Sequence, residues 1–166
     1  MKNKLTNISL NFRQETLGTD SEAIRRIIKS TDFFNEEEQE IAVELIDERL
    51  QKGKESGYYF LFAENEGEVI GYVCYGPIMG TASSYDLYWI AVENTYQKSG
   101  IGKELMKRTE MIIKEIGGGR IYVETSSKDL YIPTRKFYQK SDYIVEAQLK
   151  DFYGPNDDKV IFVKVV

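Results

Sequence analysis

Tyr85-Asp86-Leu87-Tyr88-Trp89-Ile90-Ala91-Val92, then Glu93-Asn94-Thr95-Tyr96, then Gln97-Lys98-Ser99-Gly100-Ile101-Gly102-Lys103 is the stretch on which the fold turns. Its first part is aromatic and branched without a polar residue after Asp86, the composition of a strand covered on both faces, and predicts a central strand. The middle part reads as a turn. Beyond the two glycines, Leu105, Met106, Thr109, Ile112, Ile113 and Ile116 recur at helical spacing until Gly117-Gly118-Gly119 stops the helix.

The opening turn of a helix carries backbone N–H groups without intrahelical partners, and the macrodipole adds about half a positive charge there. Glycines at 100 and 102 remove side chains that would hold a phosphate away from those amides, so the loop reads as a pyrophosphate cradle. A P-loop would need glycine at 97 and serine or threonine at 104, where the chain has Gln97 and Glu104. A dinucleotide fingerprint would need glycine at 105, where Leu105 stands. On the glycines alone, a tight strand-to-helix turn that binds nothing remains the other reading.

The 166 residues suit one domain, 1–166, with one sizeable core. Lys+Arg 22 against Asp+Glu 27 leaves a net charge of −5, which repels polyphosphate and argues against nucleic acid, while a cationic amine would suit it. No apolar run approaches the roughly 20 residues of a membrane span. Met1-Lys2-Asn3-Lys4-Leu5 lacks the apolar core of a secretory signal, so a cytoplasmic protein without membrane attachment is expected. The single Cys74 allows no intrachain disulfide. The absence of histidine removes the commonest general base and metal ligand, so no metal is expected and proton transfer falls to carboxylate, tyrosine, water or backbone.

Ile8-Ser9-Leu10-Asn11-Phe12-Arg13 alternates as a first strand does. Asp20 or Ser21 is placed to cap a helix with the stripe Ile24, Ile27 and Ile28. Asn35 followed by Glu36-Glu37-Glu38 opens a second helix, carried by Ile41, Leu45 and Leu50 towards Gly53. The acidic run is a favourable first turn or, alternatively, a substrate-attracting patch. Tyr58–Ala63 and Val69–Tyr75 form a hairpin across Glu64–Glu68. Cys74, on a buried strand without a basic neighbour, reads as a packed thiol before a nucleophile. Gly76–Thr81 is a loop. Arg120–Thr125 is a strand, and Pro133 suits the first turn of a short helix. Tyr143–Leu149 and Val160–Val165 are the last strands, joined by Phe152–Asp158, either a plain hairpin loop or a flap over a substrate mouth. This order of elements predicts a mixed sheet with helices on its faces, an α/β arrangement in the broad sense.

Strand, Gln97-Lys98-Ser99-Gly100-Ile101-Gly102, helix, then Arg135-Lys136-Phe137-Tyr138-Gln139-Lys140-Ser141-Asp142-Tyr143 resembles the GNAT superfamily of acyl-CoA N-acyltransferases over about residues 58–149. The resemblance implies a GNAT-like fold, a mixed, mostly antiparallel sheet flanked by helices, and acetyl-CoA as co-substrate. It implies that Gln97, Lys98, Ser99, Gly100, Ile101, Gly102 and Lys103 hold the coenzyme pyrophosphate. Main chain at Ile90, Ala91 and Val92 would meet the acyl carbonyl. Tyr131 stands where many members have an asparagine against the pantetheine arm, and Thr134 and Phe137 are further residues implied at the coenzyme. Asp142 replaces a usual glycine before the next strand, a turn aspartate tolerates. Trp89 fills the core or lines the acceptor channel.

By the same resemblance, Tyr138 lies near the coenzyme sulfur and donates a hydrogen bond or proton to the leaving thiolate. Asp86 stands where a histone-acetylating branch has a glutamate, and is the first candidate for deprotonating the amine, directly or through water. Glu124 is the second. A structural role for Asp86 at the strand entry is the other reading. The expected reaction is direct attack of a primary amine on acetyl-CoA in a ternary complex, with a small amine or amino-acid-like acceptor. The alternatives are a non-catalytic acyl-CoA sensor or partner-binding module, and acetylation of a protein lysine or N-terminus. A homodimer is left open.

Overall fold

The computed structural model describes residues 9–166. They form β1 (Leu10–Arg13), α1 (Asp20–Ser30), α2 (Glu36–Lys52), β2 (Tyr59–Asn65), β3 (Glu68–Pro77), β4 (Ser84–Val92), α3 (Ile101–Glu115), β5 (Arg120–Ser126), α4 (Ile132–Lys140), β6 (Ile144–Gly154) and β7 (Asp157–Val165). Single 3-10 turns lie at Gly53–Ser56, Asn94–Tyr96 and Asp129–Tyr131. The order of strands and helices is the expected one; Ile8, expected in the first strand, lies outside the described residues. The strands form a mixed seven-stranded sheet, β1-β2-β3-β4-β5-β7-β6, flanked by helices. β4 and β5 run parallel, while β1–β2, β2–β3, β5–β7 and β6–β7 are antiparallel. This is the mixed, mostly antiparallel class read from the sequence, with β4 in its middle.

The chain groups into two compact units. One takes the described residues up to Gly76 with Trp89–Thr109, the other Pro77–Tyr88 with Glu110–Val166.

In the first unit Ile24, Ile27 and Ile28 of α1 are fully buried, as their spacing predicts, against Phe60, Phe62, Tyr72 and Cys74 of the β2–β3 hairpin. The start of α1 differs from expectation. Thr19 is its N-cap residue, and neither Asp20 nor Ser21 caps it. Instead the Arg13 guanidinium forks onto the Asp20 carboxylate at 2.9 Å twice, and the Leu17 N–H donates to it at 2.7 Å. A buried charge satisfied by a bidentate cation is engaged more strongly than a cap would be. α2 opens as predicted, with reciprocal 2.9 Å bonds between Asn35 and Glu38 forming a capping box. Its buried face is Ala42, Val43 and Ile46, however, whereas Ile41 and Leu50 are largely exposed. Leu45, between them, packs partly against the same core, so the helix is rotated from the expected stripe and buries Ile46 in place of Ile41 and Leu50. The hairpin turn is tighter than expected, with Glu66 and Gly67 both at positive φ as a two-residue turn requires.

In the second unit Ile121, Val123, Tyr138, Tyr143, Val160, Phe162 and Val163 make the core. Gly118 N–H closes α3 onto the Ile113 carbonyl at 2.8 Å. β6 and β7 are longer than expected, because Pro155 and Asn156 alone turn the chain. Asp151 and Asp158 side chains accept the Asn156 and Asp151 N–H groups at 2.8 Å, replacing ladder bonds in the irregular stretch. The Phe152–Asp158 segment is therefore a hairpin, not a free flap. β6 ends the sheet, and Ile144, Val145, Leu149, Phe152 and Tyr153 along it are all exposed.

β4 is central in order but is not covered on both faces. Of its residues Leu87 and Ala91 are buried and Tyr88 is exposed. Its parallel pairing with β5 covers Ser84–Asp86 and stops there.

Candidate functional site

In the first unit the chain leaves β4 through residues pinned from several sides. Arg26 pairs with Glu93 at 2.7 Å, the Asn94 N–H donates to Ser30 Oγ at 3.1 Å, and the Glu93 N–H donates to the Ile70 carbonyl at 2.8 Å. The Gln97 amide reaches back to the Val92 carbonyl at 3.2 Å, and the Ser99 hydroxyl donates to the Tyr96 carbonyl. Lys98 and Gly100 take φ of +62° and +88°. The first bond of α3 joins the Glu104 N–H to the Gly100 carbonyl at 3.0 Å, so the amides of Ile101, Gly102 and Lys103 stand ahead of the helical ladder. Ile101 and Leu105 are buried and anchor the helix start. Gly71 on β3 makes room for this: a Cβ there would lie 3.1 Å from the Ala91 carbonyl and 3.2 Å from Leu105. The predicted loop, Gln97 to Lys103, is thus a fixed turn that opens a long helix, with Lys98 and Lys103 exposed. Ile90 and Val92 are half-buried and Ala91 buried at the end of β4.

Trp89 packs on Phe34 with ring centroids 5.0 Å apart, beside the core of α1 and α2, as its core reading holds. Cys74 is wholly buried and burial raises its thiol well above the ordinary value, so it is a packed thiol.

In the second unit the register brings several charged groups together. Asp86 pairs with Tyr122, and on β5 and β7 Glu124 lies opposite Ile161 and Ser126 opposite Lys159. Strand residues two apart point to one face, so Asp86, Tyr122, Glu124 and Lys159 share it. Lys159 Nζ is 2.6 Å from Glu124 Oε2 and 3.8 Å from the centre of the Phe152 ring, with the Tyr153 ring at 5.9 Å. The Asp86 carboxyl is raised above its ordinary value, first by burial and then by the Glu124 charge, while Lys159 opposes the shift. Burial, then Glu124 and Asp157, raises the Tyr153 phenol. Of this cluster, Asp86 and Glu124 were legible in the sequence. Lys159, Phe152 and Tyr153 were not assigned to a site there, and only the strand register collects them.

Tyr131, Thr134 and Tyr138 follow one another at helical spacing on α4 and the turn before it. Tyr138 is buried with its ring 5.7 Å from Phe137, 5.7 Å from Phe162 and 6.1 Å from Tyr143. Burial raises its phenol far above the ordinary value. Such a group stays neutral and acts as a hydrogen-bond donor. Asp142 adopts φ +66°, the left-handed geometry expected of it. Arg135 ties α4 to the end of β5 through the Ser126 and Lys128 carbonyls at 2.7 and 2.9 Å. Among the described residues no group of three or more histidine, cysteine, aspartate or glutamate side chains is arranged to hold a metal, and no helix is long and apolar enough to cross a membrane.

A model of the acetyltransferase (GNAT) family matches residues 22–143. A solved structure from Desulfovibrio desulfuricans, assigned to the same family, is 41% identical, with a TM-score of 0.93 over 95% of this chain and 99% of that one. PaiA N-acetyltransferase from Thermoplasma acidophilum, solved with coenzyme A, matches with a TM-score of 0.72 at 22% identity over 96% of this chain and 100% of that one. The aminoglycoside 6'-N-acetyltransferase from Enterococcus faecium matches with a TM-score of 0.75 at 19% identity over 93% and 96%. At such identities the last two share the fold. No curated protein sequence matches the chain.

Proposed function

Because the chain belongs to the acetyltransferase (GNAT) family, we propose that it transfers an acetyl group from acetyl-CoA to a primary amine by direct attack in a ternary complex, on a small or amino-acid-like acceptor. The observation that carries this reading is the turn at Lys98–Gly100, which opens α3 with amides that precede its first helical bond. The residues fit a diphosphate: Gly102 has no side chain to intrude, the helix end is positive, and the Lys98 and Lys103 ammonium groups are exposed beside it. Gln97, Ser99 and Ile101 hold the turn in shape, while Tyr131, Thr134 and Phe137 would lie along the pantetheine arm.

When bound, acetyl-CoA supplies an activated thioester carbonyl. Main-chain N–H groups at Ile90–Val92 would steady the charge on its oxygen. Before attack the acceptor must lose a proton, since an ordinary lysine-type ammonium of pKa about 10.4 is neutral in only a few parts in ten thousand at pH 7. Asp86, raised by burial, takes that proton directly or through a water it orients. Glu124 is the alternative acceptor of it. As the N–C bond forms and the C–S bond breaks, Tyr138 gives the departing sulfur a hydrogen bond and keeps its own proton. The reading treats residues 1–166 as one domain, since β4 and α3 each contribute to both units.

Calorimetric titration with coenzyme A, followed by thiol release from acetyl-CoA across a panel of amines, tests it. Binding with release on at least one amine is expected. Binding without release on any acceptor favours a coenzyme sensor, and absence of binding overturns the reading.

A further inference from the structure

We infer that Arg135 is a positioning residue: by gripping the main chain at the end of β5 it fixes how α4 presents Tyr138 to the coenzyme sulfur. The inference rests on the acetyl-transfer reading and deepens it by naming what aims its hydrogen-bond donor.

Tyr138 is held by its ring, with Phe137 and Phe162 at 5.7 Å and Tyr143 at 6.1 Å. Apolar burial decides which face of α4 meets the sheet, but it is non-directional, and the setting of the helix along its axis falls to polar ties. α4 is nine residues long and opens without a side-chain cap, so its start is held from elsewhere. Arg135 lies one helical turn before Tyr138. Its Nη1 donates to the Ser126 carbonyl at 2.7 Å and to the Lys128 carbonyl at 2.9 Å. Bonds from a charged donor are about twice as strong as neutral ones.

The segment that Arg135 grips is itself fixed to β7. The Ser126 hydroxyl donates to the buried Asp157 carboxylate, the Ser127 N–H to the Asp158 carbonyl at 2.9 Å, and the Asp158 N–H back to the Ser127 hydroxyl at 2.8 Å. At the other end of α4, Lys164 Nζ donates to the Ser141 carbonyl at 2.9 Å and pairs with Glu110 of α3 at 2.7 Å. Cations therefore tie both ends of the helix through main-chain carbonyls, and the phenol rides between them. Misplacing a group by about 1 Å can cost about 100-fold in rate, so such ties reach the chemistry without touching it.

A double-mutant cycle on the full chain tests this. Arg135→Met should lower kcat, up to the roughly 10- to 100-fold expected for loss of the phenol's hydrogen bond. In a Tyr138→Phe background the same change should cost less than about threefold, because its route to the chemistry is gone. Equal losses in both backgrounds, or no loss in either, overturn the inference. Should Arg135→Met fail to fold, Arg135→Lys decides by the same comparison, with a smaller loss that vanishes without the phenol. A second arm needs no turnover. With fluorotyrosine at position 138, coenzyme A should move the fluorine NMR line, and Arg135→Met should reduce that movement by about half or more while calorimetry still shows the coenzyme bound. An unchanged response overturns the inference. Coenzyme binding without thiol release refutes the acetyl-transfer reading, and the fluorine arm then judges Arg135 separately.

Discussion

The ring of Tyr138 stands 5.7 Å from that of Phe162 at an interplanar angle of 49°, so α4 is fastened to β7 through the body of the phenol and not its hydroxyl. Tyr138→Phe keeps that packing and deletes only the O–H. A hydrogen bond to a charged sulfur is worth about 1.5–3 kcal/mol, so kcat should fall about 10- to 100-fold. Coenzyme affinity and melting temperature should stay near wild type. Steady-state kinetics and calorimetry check this, and unchanged turnover would remove Tyr138 from the mechanism.

Asp86 makes a second prediction because its carboxyl binds a proton more tightly in the folded protein than in the unfolded chain, whose value is about 3.9. Its stabilising contribution is full below that unfolded value and is lost as pH rises through the folded one. Asp86→Asn, which cannot ionise, should therefore melt above wild type at pH 7, with the gain vanishing below about pH 4. A variant that is inactive yet more stable at neutral pH would mark a residue kept for chemistry. Thermal melts across pH decide it.

Local chemistry and register divide what the sequence could reveal. Gln97–Lys103 and the Asn35 cap were readable because turn, cap and helix start are decided by a few neighbouring residues. The face of α2 was not, since apolar residues lie on two adjacent rows, Ile41 and Leu45 on one and Ala42 and Ile46 on the other, and only the fold selects the second for the core. Asp20 looked like a cap until the fold brought Arg13 to it. Lys159 was invisible for a related reason: a single lysine in an alternating strand acquires its meaning only from the partners opposite it, here Glu124 and Phe152.

Glycine positions separate two kinds of backbone demand. A Cβ at Gly118 would lie 2.3 Å from Ile113 Cγ2 and 2.8 Å from its carbonyl oxygen. Gly118→Ala should therefore destabilise by about 1–3 kcal/mol through overpacking, read as a lowered urea midpoint. At Gly100 nothing lies within 4 Å, but φ is +88°. Gly100→Ala should cost about 1 kcal/mol of strain and also weaken coenzyme A binding in calorimetry.

The capping box offers a test away from the chemistry. Asn35→Ala removes the acceptor for the Glu38 N–H and should cost about 1 kcal/mol, measured by chemical denaturation.

At the far border of the sheet, β6 offers solvent a row of unspent peptide groups beside exposed Ile144, Val145 and Leu149. A bare border of that kind is adhesive: it invites strands from any neighbouring molecule to add on. Concentrated or heated samples are thus expected to clump through this rim first, and lysine at position 144 is the simplest way to blunt it while leaving Asp86 and Tyr138 untouched.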